Sequence, residues 1–387
     1  MHLVPYFQPI IDISSAQVVG HEVLARSIEA DGSVRSAGAL FHSSDYSEDQ
    51  LLAFDRTIRE QALKKFAEAG QPGFLTLTIS PRWIERLDQK AVPTLELITQ
   101  FGIEPSKIVV EIIETHADSE KLLAMVKQYK DFGVRVAVDD FGAGYAQFDR
   151  VVNLAPDIIK LDMRLFKDAV QGGFPQHIVQ SVSFLAERLG SQVLCEGIED
   201  YEELRFALGI GSRLIQGYMF EFAQPYFTEP GRFSRMISIQ RKRFFLEQIN
   251  KEDEVLTKQR TVRQQVELLA AVLRGNGGQL FAETIPLHND QILRVYICDS
   301  GGGQQSSSYE YMQGCWIEDV VDKGTNWCWR PYFYQLLAEA EVNQRRLVIS
   351  SSYHDMATSA LVKTIACYID DDNVLLVDIK QACTNVV

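Results

Sequence analysis

Through residues 1–225, short runs of β-branched and other apolar residues end on a polar side chain. Most lead into a stretch whose apolar positions lie three and four apart. The runs are Phe7–Ile13, Val18–Ala25, Phe74–Ser80, Ile108–Glu114, Val134–Asp140, Ile158–Asp162, Gln192–Ile198 and Leu214–Phe220, and each is expected to form a strand. Helices are predicted over Glu48–Ala69, Ser119–Phe132 and Ile178–Leu189; the last carries Val179, Val182, Leu185, Ala186 and Leu189 on one stripe. Pro93 and Pro156 fall near element boundaries, where a missing amide donor costs least. Eight strand candidates alternating with helices predict an α/β fold, a (β/α)₈ TIM-like barrel in preference to an open sheet.

After Pro225 and Pro230 the pattern changes. Residues 233–274 hold neither proline nor glycine and read as one or two long helices. Val255, Val262, Val266, Leu269 and Leu273 follow a coiled-coil-like spacing. Two readings stand: an amphipathic helix lying on its own domain, or a helix that pairs with a second copy to make a homodimer. From Gln279 onward, strands are expected at Ile292–Cys298, Leu347–Ser351, Leu361–Ile369 and Val374–Ile379, with a Gly/Ser-rich turn at Asp299–Ser308. This is the pattern of a smaller α+β, sensor-like domain. The expected division is 1–230 barrel, 231–275 helical linker and 276–387 second domain.

Composition narrows the class. The 387 residues carry 38 Lys+Arg against 52 Asp+Glu, a net charge of −14, which argues against a DNA or RNA partner. No apolar run approaches the ~18–20 residues of a membrane span, and the N-terminus lacks a leader pattern. The six cysteines, Cys195, Cys298, Cys315, Cys328, Cys367 and Cys383, form no C-x-x-C pair and read as thiols rather than a disulfide framework or zinc site. The expectation is a soluble, cytoplasmic, multi-domain protein.

Candidate chemistry gathers at the strand ends. Glu22, Glu111, Asp139, Asp140, Lys160, Glu196 and Gln216 all lie at or near the C-terminal ends of apolar runs. In a barrel these ends meet on one face, where active sites are built. Five carboxylates beside one lysine would repel one another. Divalent cations with oxygen ligands, Mg²⁺ or Mn²⁺, relieve that repulsion.

These residues stand within ordered motifs: His21-Glu22-Val23-Leu24-Ala25-Arg26, Glu111-Ile112-Ile113-Glu114 and Asp139-Asp140-Phe141-Gly142-Ala143-Gly144-Tyr145. The series continues through Ile159-Lys160-Leu161-Asp162, Glu196-Gly197-Ile198-Glu199 and Gln216-Gly217-Tyr218. In order and spacing the series resembles the EAL-domain family, bacterial phosphodiesterases of cyclic di-GMP. The resemblance implies a substrate, cyclic di-GMP, cut to linear pGpG, and a pair of divalent cations. It implies Glu22, Glu111, Asp139 and Asp140 as metal ligands, and Glu196, Lys160 and Gln216 as catalytic groups. Gln8 and Arg26 match positions that contact the nucleotide. Asp162 and Glu199 join them as substrate-side candidates, or are surface carboxylates at loop starts. Glu114 matches the residue that steadies the loop after the paired aspartates. One departure matters: the family usually has asparagine where this chain has Thr78, and that asparagine lends a carbonyl to the first metal. Weakened metal binding is expected, with a cyclic di-GMP receptor that does not cut as the alternative. Val23 and Ala143 are smaller departures.

The C-terminal part resembles the PAS-like (Cache-like) domain that follows the EAL domain in YkuI-type proteins. The resemblance rests on Asn326-Trp327-Cys328-Trp329-Arg330-Pro331-Tyr332-Phe333, with Tyr353 and Asp355 downstream. It implies a pocket for an unknown small ligand, with Arg330, Tyr332, Tyr353 and Asp355 as candidate contacts. The bland alternative is that the tryptophans are core and Arg330 pairs with a local carboxylate.

Overall fold

Nine strands build the N-terminal sheet: β1 (His2–Asp12), β2 (Gln17–Ile28), β3 (Val34–Ser36), β4 (Phe74–Ile79), β5 (Ile108–Ile112), β6 (Arg135–Phe141), β7 (Ile158–Leu161), β8 (Gln192–Cys195) and β9 (Leu214–Ile215). The computed structural model describes residues 2–42, 45–79, 92–113, 119–142, 151, 153–285, 291–343, 346–355 and 357–381. The order β1-β9-β8-β7-β6-β5-β4-β2 closes through a β1–β2 pairing into an eight-stranded barrel, with β3 appended to β2. Helices 48–68, 93–100, 119–131, 163–170, 174–189 and 201–209 follow or separate the strands. This is the predicted barrel with one difference. β1 runs antiparallel to both neighbours, while the remaining barrel pairs are parallel. The cause is local. A tight turn held by Asp12, whose Oδ1 accepts from the Ser14 amide at 2.6 Å, joins β1 to β2 with no room for a crossover helix.

The barrel interior is plugged by Ile10, Phe74, Val109, Ala137, Ile158, Leu194 and Leu214, from seven of its strands. The eighth strand contributes a glycine there: a Cβ on Gly20 would lie 2.5 Å from the Phe74 ring, so only glycine lets that ring fill the centre. The expected strand over Leu214–Phe220 stops at Ile215. Past it, Gly217 lies against the Ile198 backbone, where a Cβ would fall 2.0 Å from Ile198 O, and the chain turns.

The second unit is an antiparallel sheet of β10 (Ile292–Asp299), β11 (Ser308–Met312), β12 (Cys315–Asp319), β13 (Leu347–Ile349), β14 (Tyr353–His354), β15 (Leu361–Tyr368) and β16 (Asn373–Lys380). Strand alternation splits its apolar residues between two faces. Val295, Ile297, Ile365, Cys367, Leu375 and Val377 pack with Val262, Val266, Leu269 and Leu273 of helix 234–275. Tyr296, Cys298, Ala366, Tyr368, Val374 and Leu376 pack with Tyr332, Phe333 and Leu336 of helix 331–343. Four of the five residues expected in the coiled-coil seam are therefore core of this unit, the first of the two readings. Helix 331–343 was not expected from the sequence. The boundary between the two compact units falls inside helix 234–275, after Leu246. No helix among the described residues is long and apolar enough to cross a membrane.

Candidate functional site

Period-two geometry builds one polar layer directly above the apolar plug. Moving two residues from each plugging position reaches Glu22 from Gly20, Thr76 from Phe74, Glu111 from Val109, Asp139 from Ala137, Lys160 from Ile158, Glu196 from Leu194 and Gln216 from Leu214. Because β1 runs the other way, its member is Gln8, two residues before Ile10; Gln8 stands opposite Glu22 in the β1–β2 ladder. Thr76 shares the layer and was missed in the sequence, where a threonine in a strand carries no signal of its own.

Lys160 is buried at the centre. Its Nζ lies 3.3 Å from Glu22 Oε1, 2.9 Å from Glu111 Oε1, 2.9 Å from Asp139 Oδ1 and 2.8 Å from Glu196 Oε1. Burial works against the ammonium charge, but Asp139, Glu111, Glu196 and Glu22 outweigh it and hold the pKa well above that of an ordinary lysine. Burial pushes the Glu111 carboxyl up to about 8 although Lys160 pulls it down. Burial likewise raises Glu196, again against Lys160. Gln216 Nε2 donates to Glu22 Oε2 at 2.5 Å, and Thr78 Oγ1 donates to Glu111 Oε2 at 3.0 Å.

A bulge brings in the second aspartate. In a regular strand, Asp139 and Asp140 would point to opposite faces. The β6–β7 register shifts between Val138 and Phe141, and Asp140 takes a left-handed φ of 53°. Its amide donates to Asp139 Oδ1 at 3.0 Å. Carboxylate oxygens of Asp139, Asp140 and Glu196 then lie within 4.8 Å of one another. Burial, then Asp139, raises the Asp140 carboxyl to about 6. Backbone strain of this kind collects at functional sites.

The other expected residues are placed as follows. Arg26 and Thr78 line a cavity of about 290 Å³ beside the layer, together with Asp55 and Arg59, an i,i+4 ion pair the sequence reading passed over. Asp162 caps helix 163–170, accepting from the Arg164 and Leu165 amides at 3.1 Å. Glu199 pairs with Lys167 at 2.9 Å. Glu114 and Ala143–Tyr145 lie outside the described residues. In the second unit, Arg330 lies over the rings of Trp329 at 4.4 Å and Tyr353 at 5.1 Å. Trp327 packs at the edge of the core, whereas Trp329 is exposed. Buried Tyr332 has its hydroxyl 3.4 Å from that of Tyr296. Asp355 is engaged by Thr358 at 2.7 Å and by Arg294 at 3.4 Å, not by Arg330.

The donor set fits hard divalent cations. Among the described residues, the charged donors of the layer are carboxylates, they outnumber the lysine, and a buried Gln216 Oε1 and Thr76 Oγ1 have no hydrogen-bond partner.

Residues 1–225 match the EAL domain family, and residues 229–383 match an EAL-domain associated signalling protein domain. The chain is 29% identical over 389 residues to an uncharacterized EAL-domain containing protein, YkuI of Bacillus subtilis, across 98% of this chain and 95% of that one. The crystal structure of YkuI in complex with cyclic di-GMP and calcium superposes with a TM-score of 0.87 over 98% of this chain and 96% of that one. The cyclic di-GMP phosphodiesterase RocR of Pseudomonas aeruginosa is 29% identical over 227 residues, 57% of each chain. A manganese and cyclic di-GMP complex of BlrP1 from Klebsiella pneumoniae aligns at 26% identity with a TM-score of 0.52, over 58% of this chain and 56% of that one.

Proposed function

The chain belongs to the EAL-domain family, and from that premise we propose that its barrel hydrolyses cyclic di-GMP to linear pGpG with the help of two divalent cations, Mg²⁺ or Mn²⁺. The observation that carries the reading is the polar layer: carboxylates from four separate strands and a bulge converge within reach of one buried lysine.

Glu22, Glu111, Asp139 and Asp140 would hold the cations. When bound, these supply charge neutralisation at the phosphodiester and lower the pKa of the attacking water. The protein's own contribution is positional. Glu196 sits beside Asp139 and Asp140 and takes the proton from the water. Lys160 stays charged and holds four carboxylates in one arrangement, so the site needs little reorganisation when substrate arrives. Gln216 fixes the Glu22 carboxylate through its amide. Arg26, at the cavity wall, offers a planar fork suited to a phosphate, and Gln8 borders the same layer. Asp162 acts on this site as the cap that sets where helix 163–170 begins, and Glu199 at its rim through Lys167.

The setting is taken as the cytoplasm, supported by five described cysteines that are free thiols. The functional unit is taken as a homodimer. The C-terminal unit is read as a PAS- or Cache-like sensor, with Arg330 between two aromatic faces as the group offered to a small ligand, beside Tyr332 and Tyr353. Asp355, already committed to Arg294 and Thr358, supports that wall rather than clamping a ligand charge.

One observation favours a second reading, a receptor that binds cyclic di-GMP without cutting it: Thr78 stands where the family usually has a metal-ligating asparagine. Calorimetry in chelator and product analysis in Mn²⁺ separate the two. Turnover to pGpG that is lost in Glu196→Gln while binding persists supports the enzyme. Tight binding with intact nucleotide at every metal concentration supports the receptor.

A further inference from the structure

We propose that Arg330 anchors a site for a small monocarboxylate with a flat, apolar body; the proposal rests on the sensor reading above and names its class of ligand. On the sheet face that carries Tyr296 and Ala366, four polar residues stand side by side across four strands. Glu310 is opposite Arg294, Arg294 opposite Asp378, and Asp378 opposite Thr364. Arg294 gathers three carboxylates: it lies 3.0 Å from Glu310 Oε1, 3.4 Å from Asp355 Oδ1 and 3.7 Å from Asp378 Oδ2. Tyr353 links this row to Arg330. Its hydroxyl meets Thr364 Oγ1 at 2.7 Å, and the Arg330 guanidinium lies over its ring. Three carboxylates thus share one arginine, while the arginine on the tyrosine ring receives none.

Among the described residues the Arg330 guanidinium has no hydrogen bond and no ion pair, and its Nε is buried without a partner. A buried N–H left in that state costs free energy until an acceptor arrives. The backbone holds the side chain in place for one. The Arg330 amide donates to Trp327 O at 2.9 Å, its carbonyl accepts from the Phe333 amide at 3.0 Å, and Pro331 opens helix 331–343 directly after it. The donors of a guanidinium lie in its plane, so an acceptor meets its edge, beside the Trp329 and Tyr353 rings. A carboxylate matches that edge with two parallel hydrogen bonds, one of them from Nε. A flat apolar body attached to it then lies along the aromatic faces. Charge sets the rest. Glu310, Asp355 and Asp378 outnumber Arg294 and oppose a dianion such as a phosphate monoester, and an organic cation meets the charge of Arg330 itself.

Calorimetric titration of the full chain with acetate, benzoate and 2-naphthoate tests this, with phenylphosphate, benzamide and benzylamine as comparisons. Benzoate or 2-naphthoate should bind saturably, about tenfold or more tighter than any comparison compound. Arg330→Gln should weaken that binding about tenfold or more, and Arg330→Lys, which keeps the charge without the fork, should weaken it severalfold. Without ligand, both variants should melt within a few degrees of wild type, because the side chain has no internal hydrogen bond to lose. Carboxylates that bind equally well to Arg330→Gln overturn the proposal, as does early melting of both variants, which would make Arg330 structural. Phenylphosphate or benzylamine bound more tightly through Arg330 overturns the carboxylate class and leaves the sensor reading standing. No saturable binding of any probe to the wild type overturns both. The readout is binding, so no result depends on turnover.

Discussion

Thr78 Oγ1 donates a hydrogen bond to Glu111 Oε2 at 3.0 Å, so the position where the family usually carries asparagine touches a buried carboxylate proposed to hold a metal. A hydroxyl in this role acts as a donor to a ligand and not as a ligand itself. It also helps keep one Glu111 oxygen engaged. Thr78→Asn is expected to supply a neutral carbonyl oxygen in its place. The Mn²⁺ concentration for half-maximal turnover should fall about tenfold, with a smaller change at saturating metal. Metal titration of the hydrolysis rate checks it; an unchanged half-saturation would remove Thr78 from the account of metal affinity.

Lys160 balances carboxylates that would otherwise face one another in a buried layer. Lys160→Met should destabilise the metal-free protein by about 3–5 kcal/mol, because charges remain buried without their partner. Added Mg²⁺ should recover more stability in the variant than in the wild type, since a cation then replaces the missing charge. Thermal denaturation with and without Mg²⁺ reads both effects. Equal metal responses in the two proteins would contradict this role.

Asp140 owes its place to a left-handed backbone that asparagine also tolerates. Asp140→Asn should therefore leave the melting temperature of the metal-free protein within a few degrees of wild type, or raise it by relieving repulsion from Asp139. Hydrolysis should fall by about 100-fold or more, because the carboxylate is removed from the proposed metal ligands. Loss of folding instead of loss of activity would mean that the charge serves the bulge.

A pH effect is expected in the second unit. Burial raises the Asp378 carboxyl to about 6 against the hydrogen bond from Thr364 and the charge of Arg294. A folded-state value above the usual 3.8 means the native protein binds the proton more tightly than the unfolded chain. That stabilisation is complete below pH 3.8 and is lost as pH rises through about 6, a change of about 3 kcal/mol. Asp378→Asn should take this contribution out of the slope, leaving the part that the raised Asp140 and Glu111 carboxyls supply. Denaturant titrations at intervals between pH 4 and 7 test it; the same slope in the variant would assign it elsewhere.

Much of the barrel was legible because a buried parallel strand writes itself as an apolar run, and the site residues follow those runs at fixed places. Glu111, Asp139, Lys160 and Glu196 were recognisable in this way. The antiparallel course of β1 was not, since it depends on Asp12 making a turn too short for a helix. Neither was the shared facing of Asp139 and Asp140, which a bulge decides. In helix 234–275 the periodicity showed a stripe that must be covered but not what covers it. Val262, Val266, Leu269 and Leu273 have the spacing of a seam, but the sheet of the second unit takes that face, and the spacing alone does not say which partner covers it. Strands β11 and β12 and helix 331–343 were missed because Tyr, Glu and Trp, side by side at the sheet edge and around Arg330, give no clean alternation.

The most direct test follows the nucleotide itself. Full-length chain incubated with cyclic di-GMP across a titration of Mn²⁺ or Mg²⁺, with products separated by chromatography, should yield linear pGpG at a rate that rises with metal and vanishes in chelator. Cyclic di-GMP recovered intact at every concentration of both metals would contradict the claim that this layer of carboxylates cuts phosphodiesters.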